Sequence, residues 1–389
     1  MNPVHNPFAP GAGSPPPELA GRKHILEDAE VAIQRALLGK PFRSQILLGL
    51  RGVGKTVLLN KIQDMAENHR HLVSFIEAPE GKPLSEQLYP QLSKVLRKLQ
   101  VAEAAKAHVH AAMRALRSFA AVFKIEMGDF SVSVEPELGS ADSGDLESDL
   151  TDLFVRVGEA AKAAGSAWTL LIDEVQYLKE RELAALIVAL HKTSQKQLPV
   201  LFFGAGLPQI AAMSGDAKSY AERLFAYPAV GALSEEDARS AIVQPLEEEG
   251  VQIDEDALHE ITVKTKGYPY FLQEWGYQSW NTAQGFSITL QDTQAAAKAA
   301  ILRLDDGFFK VRFDRLTPKE RSYVFAMAQL GPGPYRSSEV AEKLGEDPKS
   351  LGPCRSQIIS KGMIYSPSHG DIAFTVPMFD EYLIRTQLR

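Results

Sequence analysis

An α/β fold, a mostly parallel sheet wrapped by helices, is predicted by three observations. Short apolar runs alternate with helical patterns as far as residue 233. One of these runs breaks into the glycine-rich stretch GLRGVGKT at 49–56. Beyond 234 the strands give way to capped helices.

Taken in order, residues 24–39 carry a helical pattern that stops at Gly39 and Pro41. SQILLG (44–49) is a short apolar strand, and a helix over 55–68 follows it. LVSFIEA (72–78) is the second strand. Leu84, Leu88, Leu92, Val95 and Leu99 share one helical face, which predicts an amphipathic helix over 84–99. The Ala-rich stretch 101–122 is also helical, and FKIEMGDFSVSV (123–134) alternates as a strand or hairpin does. The acidic EPELGSADSGDLESD (135–149) reads as a solvated loop, so that 100–149 form an insertion, either solvated decoration or an oligomer or partner interface. WTLLIDE (168–174), PVLFFGAG (199–206) and PAVGAL (228–233) supply the third, fourth and fifth strands, packed between helices as parallel strands must be.

From 234 the pattern changes. SEEDARSAIVQPLEEEG and DEDALHEITVKTKG each open on a capping residue and acids and close on glycine, which predicts two helices, with a third from Pro269 to Ala283. A boundary at 315–318 precedes three short helices and a hairpin over 363–377, where Ile372, Phe374 and Val376 alternate beyond Gly370. Pro353 is tolerable only in a first turn, which places the start of the third helix near Gly352. Three helices and a hairpin are the winged-helix arrangement. The organisation read from the chain is a flexible Pro-rich leader (1–18), a nucleotide-binding domain (19–233), a helical lid (234–312) and a winged-helix domain (315–389).

Composition narrows the function classes. The 389 residues are 45% hydrophobic and 23% charged with a net charge of −7, so nucleic-acid contact would require a local basic patch. The lone cysteine, Cys354, excludes a disulfide framework and a cysteine-rich zinc site. The Pro/Gly-rich start lacks the pattern of a signal peptide, and no apolar run approaches the roughly 20 residues of a membrane span, so a soluble cytoplasmic protein is expected.

Gly49, Leu50, Arg51, Gly52, Val53, Gly54, Lys55 and Thr56 satisfy G-x-x-x-x-G-K-[ST] between an apolar strand and a helix. A loop that wraps a triphosphate with backbone N–H groups needs glycine for close approach and for positive φ, and the following helix presents its positive end to the phosphates. Lys55 is expected to reach the β- and γ-phosphates and Thr56 to ligate Mg²⁺. LLIDE (170–174) delivers two acids at a strand end, the Walker B pattern. Asp173 is the expected metal-side acid, acting through water, and Glu174 the expected general base.

On these residues the chain resembles the AAA+ ATPases, in particular the initiator-like and archaeal/STAND branch. LAGRKHIL (19–26), with Gly21 and Arg22, is similar to the element that lines the adenine pocket in that family, and GYPYFLQEW (267–275) is similar to the Gly-x-Pro segment of the helical lid. The resemblance spans 19–380 and implies an ATP/ADP- and Mg²⁺-dependent hydrolase whose nucleotide state governs assembly or partner loading. It also implies an arginine finger, for which Arg223 is the candidate; the alternative is a helix-end arginine paired with Glu222 or a carbonyl. Three features depart from the family pattern. FFGAG (202–206) carries no polar sensor, GYP (267–269) stands where a sensor arginine is expected, and the position of the finger is open. Glu77 is either a polar switch residue restraining Glu174 or an ordinary strand end.

The C-terminal domain offers Lys349, Arg355, Ser356, Gln357 and Lys361 on its third helix and His369 on the wing to double-stranded DNA. Over 315–389 ten Lys and Arg face eight Asp and Glu, a balance of +2 that permits DNA without requiring it. The alternative is a STAND-like nucleotide switch in which the winged helix docks a protein partner; a nucleotide-dependent homo-oligomer, with Arg223 acting in trans, is the expected assembly. No membrane contact is expected.

Overall fold

The computed structural model describes residues 1–11, 19–78, 81–125 and 139–387, which fall into two compact units. Because residues 126–138 are outside the described set, so is most of the hairpin expected over 123–134.

The first unit comprises Arg22–Gly49 and Lys55–Val230. Its elements run α1 (Lys23–Leu37), β1 (Ser44–Leu48), α2 (Lys55–Asn68), β2 (His71–Glu77), α3 (Leu84–Leu99), α4 (Lys106–Val122), α5 (Leu146–Ala163), β3 (Ala167–Asp173), α6 (Glu180–Gln195), β4 (Val200–Gly206), α7 (Ile210–Ala217), α8 (Ala221–Leu224) and β5 (Phe225–Ala226). The strands form one parallel sheet in the order β2-β3-β4-β1-β5. Every residue of β3 and β4 is buried, which is why these strands read as unbroken apolar runs rather than alternating ones. Trp168 at the start of β3 donates through Nε1 to Ser74 Oγ at 3.1 Å and meets Phe154 of α5 edge-on, its polar atom satisfied inside the core.

Two expectations change here. The fifth strand is Phe225–Ala226, ahead of the expected 228–233, where only a short continuation survives: Leu48 N donates to Pro228 O and Val230 N to Leu48 O. Pro228 has no N–H to offer, which confines regular pairing to the residues before it. The acidic stretch is likewise no simple loop. Asp145 caps α5 by accepting from Ser148 N at 3.0 Å, and Glu147 and Asp149 occupy the first turn, where acids complement the helix dipole. Asp149 is buried and accepts from Ser143 N, Ser143 Oγ and Gly144 N, which closes the preceding turn. Among the described residues of 100–149, Val109, Met113, Leu116 and Phe119 of α4 are buried in the same core as Leu88 and Leu92 of α3 and Phe154 of α5.

The second unit comprises Met1–Gly21, Leu50–Gly54 and Gly231–Arg389. It contains α9 (Glu235–Glu248), β6 (Gln252–Ile253), α10 (Glu255–Thr265), α11 (Pro269–Thr282), β7 (Ser287–Ile288), α12 (Leu290–Arg303), α13 (Lys310–Phe313), α14 (Pro318–Gln329), β8 (Tyr335–Arg336), α15 (Ser337–Leu344), α16 (Gly352–Ser360), β9 (Ile364–Tyr365), β10 (Asp371–Phe374) and α17 (Phe379–Gln387). Strands do not cease at 234: β6 and β7 pair in parallel beside the helices. A π-helical segment, Leu304–Phe309, joins α12 to α13 and turns Phe308 and Phe309 into an aromatic cluster with Phe271, Phe379 and Tyr382. The last three strands form an antiparallel sheet in the order β8-β10-β9, with α14, α15 and α16 before the hairpin and Gly370 at positive φ in its turn. Among the described residues no helix is long and apolar enough to cross a membrane.

The start of the chain differs from the expected flexible leader. The Met1 amino group donates to Ala283 O at 2.5 Å, Trp280 Nε1 to Asn2 O at 2.9 Å, and Asn6 Nδ2 to Tyr277 O at 3.0 Å. Phe8 is 2% exposed, and a Cβ on Gly276 would stand 2.6 Å from its ring, so the glycine of α11 makes room for the phenylalanine. The chain-start polarity that suggests a tail conceals one large apolar anchor. Replacing Phe8 by Ala is expected to cost about 3 kcal/mol, read as a lowered denaturant midpoint together with faster proteolysis ahead of residue 12.

Candidate functional site

All five strands run the same way, so their carboxyl ends share one edge of the sheet, the place where open α/β sheets bind ligands. Gly49 follows β1 and donates through N to Gly206 O, at the end of β4, at 3.0 Å. Lys55 opens α2, is 6% exposed, and donates from Nζ to Gly49 O at 2.9 Å, folded back over the loop's first residue. Thr56 Oγ1 donates to Asp173 Oδ2 at 2.5 Å, joining α2 to the end of β3. These residues lie far apart in the sequence and are brought together by the parallel sheet alone.

Burial raises the pKa of Asp173, and the neighbouring charge of Glu174 adds to the effect. The hydrogen bonds from Thr56 and from Glu174 N (2.8 Å, to Oδ1) and the charge of Lys55 act against it. A buried carboxylate whose charge is costly gains from a cation. The hydroxyl of Thr56 and the carboxylate of Asp173 are hard oxygen donors, and their two-ligand set fits Mg²⁺, which takes few protein ligands and completes its shell with water and phosphate. Among the described residues no cluster of three or more His, Cys, Asp or Glu could hold a metal on its own.

Glu174 adopts φ 55°, ψ 42°, in the left-handed region that non-glycine residues enter at a cost, and a one-turn 3₁₀ helix (Val175–Tyr177) starts directly after it. Its carboxylate accepts a short hydrogen bond from Gln176 Nε2, and Gln176 Oε1 in turn accepts from Leu207 N at 3.1 Å. Glu77 is exposed at the end of β2, opposite Asp173 in register.

Residues 50–54 of the loop belong to the second unit and are held there by main-chain bonds. Arg51 N donates to Thr375 O at 3.2 Å and Tyr270 N to Gly52 O at 3.2 Å, while the Tyr268 hydroxyl donates to Arg51 O. Burial pushes the Tyr268 phenol up, which keeps it a donor. Gly52 and Gly54 have φ of 81° and 93°. A Cβ on Gly52 would meet Tyr268 and Tyr270 at 3.2 Å, whereas Gly54 faces open space, a bare-backbone stretch that suits phosphate oxygens. Val53 is buried, and Leu50 is partly so. In the same unit Arg312 lies 4.0 Å above the Phe308 ring and donates to Phe308 O at 2.5 Å. Burial and then the charge of Arg51 lower its pKa, and no carboxylate pairs with it among the described residues.

Gly21 has φ 68° and lies against Asp237, and Arg22 is buried as the N-cap of α1. Arg223 is exposed on α8, with no ion pair to Glu222. Arg355 and Gln357 lie on α16, Lys361 is its C-cap, and Lys349, expected on this helix, falls before its start; Lys361 donates to Glu320 Oε2 at 2.6 Å and to Arg315 O at 3.0 Å, Arg355 donates to Ser337 Oγ at 2.8 Å, and Lys349 and Gln357 are exposed. Burial pushes the Glu320 carboxyl up, but the hydrogen bonds from Lys361 and Thr317 outweigh it and hold the pKa low. Sequence reasoning overlooked Gln176, Tyr268 and Arg312. Gln176 stands two residues past the acid pair, and Tyr268 lies inside GYPY, so both were visible as polar groups next to a motif, but their partners were not.

Because Asp173 is more easily protonated folded than unfolded, its ionised form destabilises the ligand-free protein at neutral pH. Asp173→Asn is expected to raise the thermal midpoint of the ligand-free protein at pH 8, a gain that shrinks as the pH falls toward the raised pKa. The same variant should lose the further stabilisation that Mg-ATP adds over ATP with a chelator.

Residues 18–203 match the AAA ATPase domain family, and residues 306–383 match a domain of unknown function, DUF8462. No curated protein matches the chain. Among solved structures, a Walker-type ATPase of Pyrococcus abyssi is similar over 94% of this chain and 96% of its own, at 16% identity and a TM-score of 0.59. Cdc6p from Pyrobaculum aerophilum is similar over 100% and 99%, at 14% identity and a TM-score of 0.48. The Orc1 protein of Aeropyrum pernix, solved in complex with DNA, covers 96% of each chain at 14% identity and a TM-score of 0.46. At 16% identity the likeness to the Pyrococcus abyssi ATPase is one of fold. With the parallel sheet, the glycine loop and the acid pair in place, residues 18–203 match the AAA ATPase domain family and carry a P-loop NTPase fold.

Proposed function

We propose that this chain binds Mg-ATP, hydrolyses it, and uses its nucleotide state to control engagement of a partner through a C-terminal winged helix. The observation that carries the reading is the meeting of Thr56 with Asp173, beside Lys55, at the carboxyl edge of the sheet. Gly49 to Thr56 cradle the phosphates. Lys55 leaves Gly49 O to neutralise phosphate charge, and Thr56 and Asp173 hold Mg²⁺, which supplies charge neutralisation at the transferring phosphoryl group. Glu174 accepts a proton from the attacking water. Arg223, exposed and unpaired with Glu222, is the candidate finger offered to a neighbouring copy in a nucleotide-dependent homo-oligomer.

A second reading, favoured by a specific observation, assigns the winged helix to a protein partner. Lys361 and Arg355, two of the six candidate DNA contacts, are engaged within the unit, and of the four that stay exposed, Lys349, Ser356, Gln357 and His369, only Lys349 carries a fixed positive charge. Phosphate contact depends on free cationic groups.

Glu174→Gln should lower kcat about 100-fold or more with ATP affinity unchanged; wild-type turnover would remove Glu174 from the chemistry. Duplex binding measured at two salt concentrations separates the two readings. Affinity that falls with salt, and falls further in Lys349→Ala, supports DNA, whereas salt-independent or undetectable binding leaves the protein partner. Light scattering with and without ATP, on wild type and Arg223→Ala, tests the oligomer.

A further inference from the structure

The end of β4 carries no Asn, Ser or Thr that could report on the phosphate end of the site, since residues 202–206 are FFGAG. The structure shows another polar group there. Gln176 leaves the 3₁₀ turn after the acid pair, donates from Nε2 to Glu174 Oε2, and accepts at Oε1 from Leu207 N at 3.1 Å. An amide has a donor end and an acceptor end, so each contact dictates the other: a carboxylate can only accept, and a main-chain N–H can only donate. Gln176 is therefore oriented from both sides.

The backbone it grips is also part of the phosphate loop's anchor. Leu207 follows Gly206, whose carbonyl accepts from Gly49 N at 3.0 Å, the first residue of the loop. A continuous series of hydrogen bonds and covalent links thus runs from Gly49 through Gly206 and Leu207 to Gln176 and Glu174. Two glycines make room for it. A Cβ on Gly206 would stand 2.8 Å from Gln176 Oε1, and one on Gly204 would stand 3.2 Å from Val175. Glu174 itself sits in left-handed backbone, a conformation that surrounding contacts must hold.

We propose that Gln176 is a positioning residue for Glu174, holding one carboxylate oxygen so that the other faces the attacking water, and that it supplies at the β4 end the link to the phosphate loop that a polar strand residue would otherwise make. This rests on the reading of Glu174 as general base. Oε2 is engaged by Gln176, so Oε1 is the oxygen left to accept the proton. A movement of Gly49 on filling of the loop is transmitted through β4 to the base without any side chain from residues 202–206.

Steady-state ATPase assays on the full chain test this with Gln176→Ala, Gln176→Glu and Gly206→Ala, each checked for an unchanged thermal midpoint. Gln176→Glu keeps an acceptor for Leu207 N but has no donor for Glu174. The expected result is that Gln176→Ala and Gln176→Glu both lose about tenfold or more in kcat while KM for ATP stays within about twofold. Gly206→Ala, which displaces the amide, should fall in the same direction. Wild-type kcat in Gln176→Glu would overturn the proposal, because Gln176 would then only brace Leu207. Wild-type kcat in Gln176→Ala would overturn it outright. If either variant were unstable, the other two would still decide. Glu174→Gln run in parallel separates the two claims: inactive Glu174→Gln beside active Gln176→Ala removes the positioning role and keeps the base, whereas active Glu174→Gln removes the base.

Discussion

One hydrogen bond, from the Thr56 hydroxyl to the Asp173 carboxylate, ties the candidate site together. Its partners are 117 residues apart in sequence and sit on a helix start and a strand end. They meet because β1 and β3 run parallel with β4 between them, so that everything following β1 and everything ending β3 emerges at the same edge. A buried acid next to a second acid is unfavourable in water-poor surroundings, and the fold retains it with only a hydroxyl, an N–H and the charge of Lys55 as compensation. That residual cost is one that a divalent cation would relieve.

The same edge explains why β4 is so poor in side chains. β4 is buried along its whole length, flanked by β3 and β1, and must also let the turn after Asp173 approach closely. Gly204 and Gly206 give Val175 and Gln176 their places, and Phe202 and Phe203 fill the layers on the two faces. Polar connection then comes from main-chain groups, Gly206 O and Leu207 N, rather than from strand side chains. Main-chain groups that the ladder leaves over at the end of a buried strand need partners, and here Gly49 N and Gln176 Oε1 supply them.

The second unit is organised around rings. Phe271, Phe308, Phe309, Phe379 and Tyr382 stack or meet edge-on, joining α11, the π-helical segment and α17 into one core. The π-helical insertion sits where this cluster forms and precedes α13, which carries Arg312. In the same unit the residues 50–54 are secured at main-chain level by Tyr268, Tyr270 and Thr375, a mode of contact that constrains backbone shape while leaving side-chain identity open. Arg355 and Lys361 show the complementary case: cationic groups that a charge count assigns to a surface are spent inside, on Ser337 and on the buried Glu320.

The amino-acid sequence alone determined the glycine loop, the acid pair, four of the five parallel strands and six helices of the second unit, α9 to α11 and α14 to α16, because each of these is written in local periodicity, capping residues or a contiguous motif. It also located the third C-terminal helix from Pro353 and the last hairpin from Gly370, where a single residue's backbone restriction acts within a few positions. Only the tertiary structure decided the rest. Whether Asp145, Glu147 and Asp149 begin a helix or remain in a loop depended on the buried faces of α5. Whether residues 1–11 pack depended on a pocket made by Gly276, and whether Lys361 meets solvent depended on Glu320. Gln176 illustrates the division best: its neighbour Glu174 is two residues away, but its other partner, Leu207, is 31 away, and the meaning of an amide lies in what both of its ends touch.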